Sequence, residues 1–254
     1  EFRRVLFRSD FTQCYPKRKE SGLEWHDCSA IGGSRLYCSR DAEEKIKALI
    51  APAGVSGIHF IDSGDYHYIS KIMTDFIKEP FTLVLIDHHT DMQDASLGGD
   101  ILSCGNWAKK VLQENPYLQR LVLIGQEKKV LDKLQSGARQ QETDGKLVEI
   151  SYEELKNGKA HEKIKELPDE VPVYISIDKD VLRKQDAITD WSNGNLTLMQ
   201  LQAVLRIIYA HENVIGIDIT GECSATLDYF TEVEDAAINN KTNVELMQMI
   251  LAES

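Results

Sequence analysis

The chain is missing several features that would direct its reading elsewhere. No apolar run in its 254 residues approaches the length of a membrane span, so a helical membrane protein is excluded and no membrane partner is expected. There is no basic surplus either: 29 lysines and arginines face 41 aspartates and glutamates, a formal net charge of -12. Nucleic acid is bound through basic patches, so it is not an expected partner. Cysteine is scarce and lacks C-x-x-C spacing. Cys14, Cys28, Cys38, Cys104 and Cys223 are an odd number, which fits free thiols in a reducing cytoplasm better than a disulfide frame. Linker-like tracts and internal repeats are absent as well, and with 42% hydrophobic residues the chain can bury one large α/β core.

The first nine residues, Glu1-Phe2-Arg3-Arg4-Val5-Leu6-Phe7-Arg8-Ser9, resemble the in-frame translation of a common short-read sequencing adapter. They are set aside from the fold. On that reading the natural start lies a few residues before Asp10, and residues 10–254 form a single domain.

Short β-branched or aromatic runs predict strands at Gly57 to Ile61, Thr82 to Asp87, Arg120 to Ile124, Lys146 to Ile150, Val173 to Asp178 and Asn213 to Ile219. Helical patterns lie between them. In Thr197 to His211, Thr197 can cap while Leu198, Leu201, Leu205 and Ile208 recur on one face. Ile46, Leu49 and Ile50, and Met73, Phe76 and Ile77, form weaker stripes. The polar stretch Gln135 to Lys146 reads as a surface loop. Near-continuous apolar strands alternating with helices predict a three-layer α/β/α fold with a mostly parallel sheet.

In such sheets ligands gather beyond the carboxyl ends of the strands. Ile61 runs into Ser63-Gly64-Asp65-Tyr66-His67, Ile86 into Asp87-His88-His89-Thr90-Asp91, Ile177 into Asp178-Lys179-Asp180, and Ile219 into Gly221-Glu222. Side chains alternate along extended chain, so Asp87, His89 and Asp91 share one face and Ser176, Asp178 and Asp180 another, with His88 and Lys179 pointing away. Carboxylates and imidazoles without thiolate suit Mn²⁺ or a similar first-row ion. Two divalent ions would nearly balance Asp87, Asp91, Asp178 and Asp180, which left unpaired at one sheet edge would repel.

The first three of these segments, the third read from Ser176 as Ser176-Ile177-Asp178-Lys179-Asp180, resemble the G-G-D-H-S, D-A-H-x-D and S-x-D-x-D signatures of the arginase/agmatinase (ureohydrolase) family, over a span from about Gly57 to Glu222. The resemblance implies an arginase-like fold and two Mn²⁺ per chain. It implies that His67, Asp87, Asp91 and Asp180 or Asp178 divide between them, with His89 completing the second site. Two such ions share a water and deliver it as hydroxide to the carbon of a guanidino or amidine compound, breaking a C-N bond. Asp91 and Glu222 are the expected catalytic carboxylates. Gln93, Ser103, Trp191 and Glu222 are the expected substrate contacts. A trimer or hexamer is implied by the family alone.

Several positions depart from the pattern. Tyr66 is an extra residue before His67, and Glu222 sits four places after Asp218 where the family's acid sits three. The arginases' proton-shuttle histidine has no counterpart, Ser103-Cys104-Gly105 standing in its region, and Gln93 replaces a shorter amide. Retained metal binding without arginine specificity is the expectation. Two alternatives stay open: a non-catalytic relative that binds metal or a guanidino ligand, and a deacetylase-type amidohydrolase, which would need an acid-base pair of histidines that His88-His89 is badly placed to provide.

Overall fold

The computed structural model describes residues 6–15, 23–94, 101–135, 145–166, 171–224 and 229–254. Eight parallel strands form the central sheet: β1 (Leu6–Asp10), β2 (Leu23–Asp27), β4 (Ile58–Ile61), β5 (Phe81–Ile86), β7 (Leu118–Ile124), β8 (Leu147–Ile150), β9 (Val173–Asp178) and β10 (Val214–Thr220), in the order β2-β1-β4-β10-β9-β5-β7-β8. Two further strands, β3 (Tyr37–Cys38) and β6 (Leu102–Ser103), pair antiparallel in a small ribbon. The near-continuous apolar runs of β5 and β7 explain the layering, because period-two alternation gives each face its own core. Leu83, Leu85, Leu121 and Leu123 pack on one side with α1 (Arg40–Ile50), α2 (Ile69–Thr74), α3 (Trp107–Glu114) and α4 (Lys128–Gln135). Val84, Ile86, Val122 and Ile124 pack on the other with α6 (Ala160–Lys165), α7 (Leu198–His211) and α8 (Tyr229–Glu253); the short α5 (Tyr152–Lys156) precedes α6. This is the expected three-layer fold.

All six predicted strands are present, within two residues of their expected bounds. Asp87 falls outside β5, its N–H still donating to the Ile124 carbonyl while the chain turns into the site. Helix α2 stops at Thr74, so Phe76 and Ile77 pack beyond it, and Leu49 lies on the exposed side of α1. Of the expected loop from Gln135 to Lys146, residues 136–144 lie outside the described residues, as do residues 1–5 of the lead.

Four strands were not foreseen: β3 and β6 of the small ribbon, and β1 and β2 of the central sheet. β1 includes residues 6–9 of the lead set aside above, because Phe7 and Ser9 are fully buried between β2 and β4 and Arg8 lies against the rings of Tyr15, Trp25 and Phe60. β2 is a half-exposed edge strand without an apolar run. Strands β10 and β9 insert between β4 and β5, which are consecutive among the long strands after β2. The carboxyl ends of these four central strands therefore lie side by side, where the sheet order reverses. Among the described residues no helix is long and apolar enough to cross a membrane.

Candidate metal centre

After β4 the chain winds Gly64–Tyr66 into one 3-10 turn, with Tyr66 N–H donating to Ser63 O at 3.0 Å and His67 N–H to Gly64 O at 3.1 Å. The tight turn absorbs the extra residue: Tyr66 is buried, its ring stacked on Phe11 at 4.1 Å, and His67 swings inward. His67 Nδ1 lies 3.0 Å from Asp91 Oδ2, 3.3 Å from Asp87 Oδ2 and 3.6 Å from Asp178 Oδ2.

The β5 end supplies Asp87, His89 and Asp91. His89 N–H donates to Asp87 Oδ1 at 2.6 Å, curling the segment, and Asp91 adopts a left-handed φ of 50°, which aspartate tolerates better than most residues. Trp107 at the start of α3 donates its indole N–H to Asp91 Oδ2 at 2.5 Å. His89 Nδ1 sits 2.7 Å from Asp180 Oδ2, and Asp180 Oδ1 accepts the His88 N–H at 3.1 Å. After β9 the chain again makes a 3-10 turn, Lys179–Val181, in which Asp178 Oδ1 accepts the Asp180 N–H at 2.9 Å.

Two groups that could hold an ion result: His67, Asp87 and Asp91, and Asp87, His89 and Asp180, with the donor atoms in each within 4.8 Å of one another. Asp87 belongs to both. The nitrogen and carboxylate donors fit a pair of hard or borderline divalent ions. Asp178 lies beside the pair, gripped between two glycines: a Cβ at Gly64 would meet its Oδ2 at 2.9 Å, and one at Gly221 its Oδ1 at 2.4 Å.

Burial and the neighbouring charges push these groups in opposite directions. Burial opposes charge on Asp87, yet hydrogen bonds from His67 and His89 hold its carboxyl below the usual range. Burial, then the Asp87 charge, raises Asp91 and pushes Asp178 up to about 7. Burial, followed by Asp178 and Asp87, lifts Asp180 well above its ordinary range. Burial disfavours protonated His67, but its contacts with Asp87 and Asp91 outweigh this and hold it well above 6.5; Asp180 and Asp87 likewise raise His89 to about 11 against its own burial. Such opposed shifts are what packed ligands show before a cation replaces their protons.

All six expected metal ligands line one cleft, with Gln93, Cys104, Gly105, Gly64 and Trp191. The cleft is half open to solvent, with a cavity volume of about 30 Å³, room for about two waters. Trp191 stands at the mouth, edge-on to His89 at 5.7 Å with its indole N–H on Asp65 Oδ1 at 3.0 Å. Gln93 lies flat over Gly105, where a Cβ would meet its amide at 2.8 Å.

Two expected residues lie outside the lining. Ser103 belongs to the β3–β6 ribbon with its N–H on Asn106 Oδ1, and the next two residues face the cleft in its place. Burial, then Asp91, Asp65 and Asp178, pushes the Cys104 thiol up to about 12, so it is no ready nucleophile. Glu222 turns away: its Oε1 accepts from Lys179 Nζ at 2.6 Å and from Asn243 Nδ2 at 2.7 Å. The position facing Asp178 is Gly221, at φ 90°. Sequence reasoning missed Trp107, Gly64 and Gly221, although Gly221 was signalled by the one-residue offset of Glu222.

A sequence model described as the arginase family matches residues 29–243. An uncharacterized protein of Thermotoga maritima is 31% identical over 183 residues, covering 72% of this chain and 65% of that protein, so the matched part spans just under two thirds of the relative's length. Among solved structures, formimidoylglutamase from Bacillus subtilis superposes with a TM-score of 0.63 at 17% identity, over 97% of this chain and 86% of that one. Formiminoglutamase from Trypanosoma cruzi, solved with Mn²⁺, gives 0.61 at 16% identity over 89% and 76%. At such identities the two superpositions speak for the fold alone, but the family model covers most of the sequence, and the chain belongs to the arginase family.

Proposed function

We propose that this chain is a binuclear manganese-dependent hydrolase that breaks a C-N bond in a small guanidino or amidine compound. The observation that carries the reading is the double membership of Asp87, which makes two ligand groups into one bimetallic site. His67, Asp87 and Asp91 would hold one ion and Asp87, His89 and Asp180 the other, with Asp178 completing the pair. Two divalent ions there would polarise a shared water and lower its pKa for attack on an electron-poor carbon.

The chain's own groups set what can react. A half-open cleft of about 30 Å³ would take only the substrate's planar head, entering past Trp191 and the Gln93 amide. Asp91, held by the Trp107 indole, is placed to receive a proton from the water as it attacks. Glu222 acts from outside the cleft, fixing Lys179 and through it the turn bearing Asp178 and Asp180. Nothing about His88 suits a deacetylase-type pair, since its Nδ1 packs beside Gly194 and it does not line the cleft.

A second reading, ligand binding without turnover, is favoured by the orientation of Glu222, which among the described residues leaves no carboxylate in the lining beyond the candidate ligands. Metal content after Mn²⁺ loading, followed by urea and ammonia release across guanidino and amidine compounds, separates the two. Two ions per chain with turnover support the hydrolase, and Asp87→Asn should lose both ions at once. Two ions with no turnover across the panel would hand the site to the second reading.

A further inference from the structure

His67 can give an ion its Nδ1 lone pair only if the proton of the neutral ring sits on Nε2, and that buried N–H then needs an acceptor. The acceptor is Ser176 Oγ, at 2.9 Å. A serine hydroxyl has one proton, so it accepts from His67 most readily when that proton is committed elsewhere. Asp218 Oδ1 takes it at 2.7 Å. Ser70 Oγ donates to the same oxygen at 3.0 Å, and Tyr174 Oη donates to Asp218 Oδ2 at 2.8 Å. Three hydroxyls thus converge on one carboxyl group, and every atom of the network is buried. Proton donation runs one way, from His67 through Ser176 to Asp218.

We infer that Asp218, on β10 and outside the cleft, is a positioning residue that acts through Ser176 to fix the proton and orientation of His67, and so sets occupancy of one ion of the pair. The inference rests on the binuclear reading above and assigns a role that the cleft lining does not reveal. It also accounts for the buried Ser176 hydroxyl: a proton turned toward His67 would leave the His67 N–H unpaired, and Asp218, at 2.7 Å against 3.0 Å for Ser70 Oγ, is the nearer acceptor that draws it away.

The test is electron paramagnetic resonance of the Mn²⁺-loaded chain together with Mn²⁺ titration. The intact protein should give the spectrum of two coupled Mn²⁺. Ser176→Ala and Asp218→Ala should give an isolated Mn²⁺ spectrum, with affinity at the His67 group down by about 10–100-fold and the His89 group still filled. Ser176→Thr restores the hydroxyl and should restore coupling. Tyr174→Phe removes an equally buried donor to Asp218 without touching Ser176, and should leave coupling intact, which separates the relay from general packing. If Asp218→Ala does not fold, Ser176→Ala decides. A folded Ser176→Ala chain with unchanged coupling and affinity overturns the relay alone, whereas an intact chain that never shows coupling overturns the binuclear reading and the relay with it.

Discussion

Gly221, just after β10, and Lys179, in the turn after β9, both bear on Asp178 and fail in different ways. Gly221 has a φ of 90°, and a Cβ there would stand 2.4 Å from Asp178 Oδ1 and 2.8 Å from the Lys179 backbone nitrogen. Gly221→Ala therefore combines a left-handed alanine with a collision against the site, at an expected cost of about 1–3 kcal/mol in stability. Asp178 must move, so Mn²⁺ affinity should fall as well. Calorimetric unfolding and metal titration check both, and a variant with unchanged Mn²⁺ affinity would show that Asp178 has slack. Lys179 instead is fully buried with Glu222 and Asn243 as its partners. Lys179→Met strands the Glu222 charge and should cost about 3–5 kcal/mol. Lys179→Met combined with Glu222→Leu should recover a large part of that loss in denaturant unfolding, because no unpaired charge remains. If the double variant is no better than the single, Lys179 contributes by packing its stem and not by pairing.

At the scale of elements, legibility followed burial. β5 and β9 are buried at every position, and their apolar runs announce them as well as the acids that follow. Helix α7 announces itself through its cap: Thr197 Oγ1 accepts the Gln200 N–H at 3.2 Å, and the Gln200 side chain returns to the Thr197 N–H at 2.9 Å. Thr197→Ala should cost about 1 kcal/mol in thermal unfolding with metal binding unchanged, since the cap lies outside the ligand turns. A fall in Mn²⁺ affinity would tie α7 to the site. What stayed hidden has physical reasons. β2 carries Glu24, His26 and Asp27 on a half-exposed edge, so no period-two pattern marks it. The direction of Glu222 was illegible because it depends on Asn243 of α8, 21 residues further along the chain, offering a second polar partner beside Lys179. The six side chains that meet in the cleft were legible because each follows an apolar strand or its turn, whereas Trp107 was not, its tie to Asp91 spanning a separate helix.

For the whole molecule, the four carboxylates and two imidazoles at the centre make stability depend on pH in opposite senses with and without metal. Asp178 is raised from 3.8 to about 7 in the metal-free chain, so it stays neutral in the fold where the unfolded chain would ionise, and its cost accumulates as pH rises from about 4 to about 7. His89, raised from 6.5 to about 11, adds stability that is full below 6.5 and drains away as pH rises toward 11. Both groups make the metal-free protein lose stability with rising pH. Divalent ions bound at this cluster would reverse the trend, because binding must expel the protons held by His67, His89 and the raised carboxyls, which grows easier at higher pH. The melting temperature gained on adding Mn²⁺ should therefore increase from about pH 5 to about pH 8. At 100-fold excess over the dissociation constant each site adds about 2.7 kcal/mol, or about 5–10 °C for a chain of this size. Asp87→Asn should flatten the gain, since that residue joins both ligand groups. A gain that falls with pH would mean that the ions bind without displacing the cluster's protons, and so lie somewhere other than among these six side chains.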